Sequence, residues 1–306
     1  MSASLTLLSP SGVVAKAASL RLAQRRLKAL GFEVQVDESA LARRQRFAGD
    51  DATRLEALHR VARAAPSVAM AVRGGYGLTR LLPAIDWRLL ARSVERGTRW
   101  VGHSDFTALQ LGLLAHRGAG SWAGPMATDD FGRTDEEGGA DEVTAACFAE
   151  AMSGELEAVG WRTAEGFDGL GLRGMLWGGN LAMLCSLVGT PHLPQVKGGL
   201  LFLEDVNEHP FRVERMLLHL LEAGVLGAQK AVLLGHFTNF KPFAVDRGYN
   251  LKAALAHVRG RTRVPLLTGL PFGHVSPKLT LPVGRRVELV VQGREVLLGW
   301  GHQGRA

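Results

Sequence analysis

The sequence has only two cysteines and two tyrosines, and no apolar run long enough to cross a bilayer. Cys147 and Cys185 lack the paired spacing of a metal site, and two cysteines cannot build a disulfide framework. They read as core residues of apolar helical stretches in a reducing compartment. A membrane span takes about 18 consecutive apolar residues, but LTLLSPSG is broken at Pro10 and Gly12, and GLLFLEDV runs into Glu204 and Asp205. The leading MSASLTLLSP has no basic stretch before its apolar residues. It therefore reads as a first strand rather than a signal peptide, and the expectation is a cytoplasmic protein with no membrane partner. Lysine is also scarce: the formal charge is +7, yet seven of the 36 basic residues are Lys. The arginines are scattered through LRLAQRRLKAL and LEALHRVARAA without interleaved aromatic rings. That pattern fits solvated helix faces, and no nucleic-acid partner is expected.

What is present is a chain of 306 residues, 46% hydrophobic and 21% charged, enough for two domains with separate cores. The first half alternates short apolar runs (SLTLLSP, EVQV, VAMAV, RWVGH) with helical patterns such as VAKAASLRLAQRRLKALGF, DDATRLEALHRVARAA and FTALQLGLLAHRG. This predicts an α/β domain over residues 1–150, a mostly parallel sheet flanked by helices. Gly31 is a candidate helix stop, and Asp50 or Asp51 a candidate cap. Residues 151–175 are expected as a linker, within a weakly patterned acidic and glycine-rich region that begins near 127. Residues 176–306 are expected as an α+β domain rich in β structure. Its last stretch, KLTLPVGRRVELVVQGREVLLGW, reads as antiparallel strands turning at Gly284 and at Gln292 to Gly293.

Four places could carry chemistry. In RWVGHSDFTALQLGLL a strand meets a turn that becomes a helix. A serine there, Ser104, can expose its hydroxyl beside backbone N–H groups aimed at a developing oxyanion, although Phe106 stands where G-x-S-x-G would place its second glycine. Equally, Ser104 could simply cap the helix. The loop VRGGYGLTR follows an apolar strand, and Gly74, Gly75 and Gly77 allow a close backbone approach to an anion without matching a nucleotide-binding fingerprint. Glu204 closes the apolar strand GLLFLEDV and needs a partner, whereas Asp205 should point to the opposite face. Among ten histidines, His274 stands out in a Gly-His loop after VPLLTGLPF. His236 is its rival, and His103 should face away from Ser104. Glu204, Asp205, Glu208 and His209 match no familiar metal site, so no metal is assigned.

Taken in order, RGGYGLTRLLPAIDW, VGHSDFTALQL, GGNLAML, LFLEDVNE and LPFGHVSPKLTLPVG resemble the motif set of the L,D-carboxypeptidase family, with RFAGDDATRLEAL as a sixth motif. That family includes muramoyl-tetrapeptide carboxypeptidases and microcin C immunity peptidases. The resemblance implies a catalytic Ser104, Glu204 and His274, an oxyanion hole from the N–H groups of Gly75 and Asp105, and no cofactor. It also implies a homodimer, and a murein tetrapeptide substrate that loses a terminal D-alanine. A peptidyl or aminoacyl nucleotide conjugate is the alternative substrate, and an anion-binding module without catalysis the alternative function. Arg73, next to the glycine loop, is a candidate clamp for a terminal carboxylate, or else a structural partner of Asp105.

Overall fold

The repeating strand-helix pattern of the first half folds as the spacing predicts, and a computed structural model of the chain describes residues 3–301. The outermost ends of both expected domains, residues 1–2 and 302–306, lie outside the described residues. In chain order the strands and helices are β1 (Ala3–Leu8), α1 (Ala17–Ala29), β2 (Phe32–Val36), α2 (Asp51–Ala64), β3 (Val68–Ala71), α3 (Trp87–Glu95), β4 (Arg99–Gly102), α4 (Thr107–Arg117), β5 (Ser121–Ala123) and α5 (Glu142–Ser153). The second half continues with β6 (Ala158–Arg162), β7 (Gly171–Asn180), α6 (Leu181–Leu187), β8 (Leu200–Val206), α7 (Pro210–Glu222), β9 (Ala231–Thr238) and α8 (Leu251–Arg259). The chain then closes with β10 (Leu266–Leu267), β11 (Leu281–Val283), β12 (Arg285–Gln292) and β13 (Glu295–Gly299).

Two sheets result, with orders β11-β5-β4-β3-β1-β2 and β10-β9-β8-β7-β12-β13-β6. The first is parallel except where β11 meets β5. The second is parallel from β7 through β10 and antiparallel from β7 through β12 and β13 to β6. Residues 68–71 of β3 and 200–205 of β8 are continuously buried, as parallel strands covered on both faces require. Local signals place the helix ends. The Asp50 side chain accepts from the Thr53 N–H at 2.8 Å, and Gly31 follows α1 at φ +93°. Of the two thiols, Cys147 is buried and Cys185 half-buried.

Two expectations need correction. Residues 151–175 do more than link, because they contain β6, the edge strand that closes the second sheet against β13. The antiparallel reading of the C-terminal stretch holds for the β12–β13 hairpin. At Gly284, by contrast, the chain leaves one sheet for the other: β11 pairs with β5 and β12 pairs with β7. This crossover joins the halves, and α4 packs against both α6 and β7.

Near its end, β7 packs very closely against β8 within the second sheet. Gly178 sits at φ +133°, and a Cβ there would lie 2.0 Å from the Phe202 carbonyl oxygen on β8. Gly178→Ala is expected to destabilise the protein by about 2–4 kcal/mol through combined strain and overpacking. Chemical denaturation checks this; an unchanged midpoint would mean that β7 and β8 separate more easily than their register implies.

Candidate active site

The turn after β4 carries the serine in a strained conformation. Ser104 has φ +61°, a left-handed value that costs a residue with a side chain about 1 kcal/mol or more. It begins a short 3-10 turn, Ser104–Phe106, that runs directly into α4. Phe106 tolerates the elbow because Gly102 leaves room: a Cβ at Gly102 would lie 2.8 Å from the Phe106 ring. The glycine loop closes over the serine. A Cβ at Gly74 would come within 2.8 Å of Ser104 Cβ and 2.9 Å of its Oγ, so only glycine fits. Gly75 follows at φ +105°, and the Gly12 N–H anchors the loop by donating to the Gly74 carbonyl at 3.1 Å.

Asp105 contributes more than its main chain. Its buried carboxylate accepts from the Leu78 N–H at 3.0 Å, which fastens the glycine loop to the serine turn. Burial pushes this carboxyl above its usual range, and the Leu78 N–H opposes the shift. Among the described residues Asp105 makes no ion pair with Arg73, so Arg73 is not its structural partner. The Arg73 Nη1 instead donates to the Val13 carbonyl at 2.9 Å. Arg73 lines a cavity of about 470 Å³ with Lys16, Thr128, Asp129 and Arg133.

The candidate carboxylate–imidazole pair comes from the second half. The Glu204 side chain is fully buried, with Oε2 2.8 Å from His274 Nδ1 and Oε1 accepting from the Asn180 Nδ2 at 3.1 Å. A carboxylate on Nδ1 fixes the orientation of the ring and leaves Nε2 to face any second partner. Gly273, at φ +131°, turns the chain so close to Glu204 that a Cβ would lie 3.1 Å from Oε2. His236 is not the partner of Glu204; its backbone N–H donates to the Phe272 carbonyl at 2.9 Å and steadies the His274 loop. The two sides meet where the His103 and His274 rings stand edge to face, centroids 5.0 Å apart. The Asn180 N–H also donates to Thr107 Oγ1 at 3.1 Å, joining the end of β7 to the start of α4. The structure thus brings the Ser104 turn to the Glu204–His274 pair. Among the described residues the His274 ring makes one hydrogen bond, to Glu204.

Several groups in the site were not expected. Asn180 donates to both Glu204 and Asp205, at 3.1 and 3.0 Å, while its Oδ1 caps α6 by accepting from the Met183 N–H. GGNLAML pointed to this place but not to this role. Asp205 does not face away from Glu204, because a register shift between β8 and β9 at Leu203/Asp205 breaks the alternation. Lys278 and Asp130 form a buried pair beside His103. The four residues weighed and set aside as a metal group do not converge: His209 turns to Asp246 at 3.0 Å and Glu208 to Arg212.

Burial, then the Glu204 charge, pushes the Asp205 carboxyl up to about 6 from an ordinary 3.8. The folded state therefore takes up a proton at a pH where the unfolded chain has already lost it. The stability this group provides is present below about pH 4 and is lost as pH rises to about 6. Asp205→Asn lacks that loss, so its stability relative to the parent should climb through this window, by something on the order of 2 kcal/mol. A difference that stays flat from pH 4 to 7 in denaturant titrations would contradict the environment described here.

Comparison with known proteins follows the same division. Residues 5–124 match the LD-carboxypeptidase N-terminal domain, and residues 173–289 match the LD-carboxypeptidase C-terminal domain. The crystal structure of muramoyltetrapeptide carboxypeptidase from Oxalobacter formigenes is 41% identical with a TM-score of 0.90, covering 99% of this chain and 100% of that one. A probable murein peptide carboxypeptidase of Bacillus subtilis (strain 168) is 30% identical over 271 residues, 86% of this chain and 81% of its own length. The microcin C7 self-immunity protein MccF of Escherichia coli is 25% identical over 256 residues, 74% of this chain and 72% of its own length. A strained serine turn in the first half, a buried carboxylate–imidazole pair in the second, and both domain matches in this order place the chain in the LD-carboxypeptidase family.

Proposed function

We propose that this protein is a serine carboxypeptidase that removes the terminal D-alanine from the L,D-peptide bond of a murein tetrapeptide. The observation that carries this reading is the 2.8 Å bond between buried Glu204 and His274, set against the turn that presents Ser104. In the proposed reaction His274 Nε2 takes the Ser104 proton as Oγ attacks the scissile carbonyl, and Glu204 holds the tautomer and stabilises the imidazolium. The N–H groups of Gly75 and Asp105 receive the oxyanion, each contributing about 3 kcal/mol to the tetrahedral state. His274 then returns the proton to the departing D-alanine nitrogen, and water releases the acyl group from Ser104 by the reverse sequence. Nucleophile, base and oxyanion donors all come from the protein, so the reaction as written calls for no cofactor.

Arg73 is assigned to the peptide carboxylate that restricts cleavage to the last residue. It directly precedes the glycine loop that touches Ser104, and its side chain borders a cavity wide enough for an amino-acid group. The higher identity to a muramoyltetrapeptide carboxypeptidase than to the immunity protein supports murein peptide over a peptidyl nucleotide as substrate.

Release of D-alanine from murein tetrapeptide tests the reading directly, with a peptidyl adenylate analogue as the competing substrate. Ser104→Ala and His274→Ala should each lose about 10³-fold or more in kcat, and Glu204→Gln should lose less because the acid forms no bond to substrate. Near-parental activity in Ser104→Ala would end the assignment. On the acid side kcat/KM should fall as the base imidazole takes a proton; undiminished activity at about pH 4 would rule out a neutral histidine base. A C-terminal amide should be a poor substrate for the parent, and Arg73→Ala should lose most of that discrimination. Equal slowing of acid and amide would make Arg73 scaffolding.

A further inference from the structure

Lys278 is a lysine sealed from water, with 2% of its side chain exposed. A buried ammonium is costly unless every donor finds a partner. Its Nζ donates to Asp130 Oδ1 at 2.8 Å and Oδ2 at 3.1 Å, and lies 3.1 Å from His103 Nε2. Chemistry fixes the direction of the last bond: an ammonium group only donates, so Nε2 accepts. Across the ring, Nδ1 lies 2.9 Å from the Gly124 carbonyl, which only accepts, so Nδ1 carries the hydrogen. Both bonds demand the same neutral tautomer, and a proton on Nε2 would break the bond to Lys278. Burial first, then the charge of Lys278 and the neighbouring His274, push the His103 imidazole well below its ordinary range.

Among the described residues, the titratable and charged groups around His103 are as follows. Lys278 closes the Nε2 side with Asp130 behind it, and Asp129 stands next to Asp130. The Gly124 carbonyl closes the Nδ1 side. The Phe272 ring stands edge-on with centroids 6.3 Å apart, and the His274 ring likewise at 5.0 Å. His103 thus lies between the main chain of the nucleophile turn and the imidazole read as the base. Lys278 follows His274 by four residues on the same loop, so its bond to His103 also ties the base's loop to the serine turn.

We propose that Lys278 is a positioning residue that holds His103 as a fixed neutral wall against His274, leaving one imidazole in the site able to take the Ser104 proton. The proposal rests on the reading of His274 as the base. A second imidazole at this distance, once protonated, would repel the imidazolium that forms as Ser104 attacks.

The test pairs a substitution with a measurement on the unaltered protein. Lys278→Met together with Asp130→Asn removes both buried charges and leaves neither stranded. In this double variant the acid limb of kcat/KM should steepen from a one-proton to a two-proton dependence, with KM little changed. Adding His103→Gln should restore the one-proton limb. A double variant with the one-proton limb and midpoint of the parent overturns the proposal. Nitrogen-15 NMR of the histidine rings in the parent protein needs neither substrate nor variant. His103 should remain the Nδ1-protonated neutral form between about pH 5 and 8. Titration of His103 within that range, or the opposite tautomer, overturns the proposal even if the variants fail to fold. If the parent released no D-alanine, the functional reading would fail, and the ring spectra alone would decide this one.

Discussion

A carboxylate with no access to water has to be answered where it stands, and Glu204 is answered on both oxygens. His274 meets Oε2 and the Asn180 amide meets Oε1. A buried carboxylate left without its hydrogen-bond donors is strongly disfavoured. The buried end of β8 therefore dictates where the loop after β10 and the start of α6 must go. Gly273 lets that loop approach within reach of Oε2, and the bulge at Leu203/Asp205 turns a second carboxylate toward the same amide. The hydrogen bond that fixes the His274 ring thus also ties the loop after β10 to the buried end of β8.

The first half supplies a complementary constraint. The surroundings of the Ser104 turn hold its left-handed conformation: Phe106 packs over Gly102, the Asp105 carboxylate accepts from the Leu78 N–H, and the glycine loop lies so near that Gly74 has no room for a side chain. Strain of this kind persists only where the surroundings over-determine it. Neither half holds all the candidate residues, and buried polar contacts reinforce the packing between the halves: Asn180 to Thr107, and Lys278 to His103 and Asp130. The β11 crossover, which carries a C-terminal strand back to the N-terminal sheet, keeps these contacts in register.

The strand-helix alternation of the first half was legible because each element carries its own period and caps. The serine turn, the glycine loop and the strand-end carboxylate were legible as candidates because each is a local event in the chain. What joined them was not. Which histidine answers Glu204 depends on the loop after β10, and short-range pattern left His236 as a rival to His274. Asp205 was misplaced because a bulge depends on the partner strand, and β6 was hidden because an edge strand with alternating exposure looks much like a polar connection. Lys278 gave no signal at all, since a buried lysine is recognisable only once its partners surround it.

The central claim is that Ser104 is activated by an imidazole that Glu204 orients. A fluorophosphonate probe followed by peptide mass spectrometry tests it without any assumption about substrate. The account predicts a single stoichiometric adduct on Ser104, absent in Ser104→Ala and formed much more slowly in His274→Ala and, to a smaller extent, in Glu204→Gln. Labelling at another residue, or labelling of Ser104 at the parental rate in His274→Ala, would contradict it.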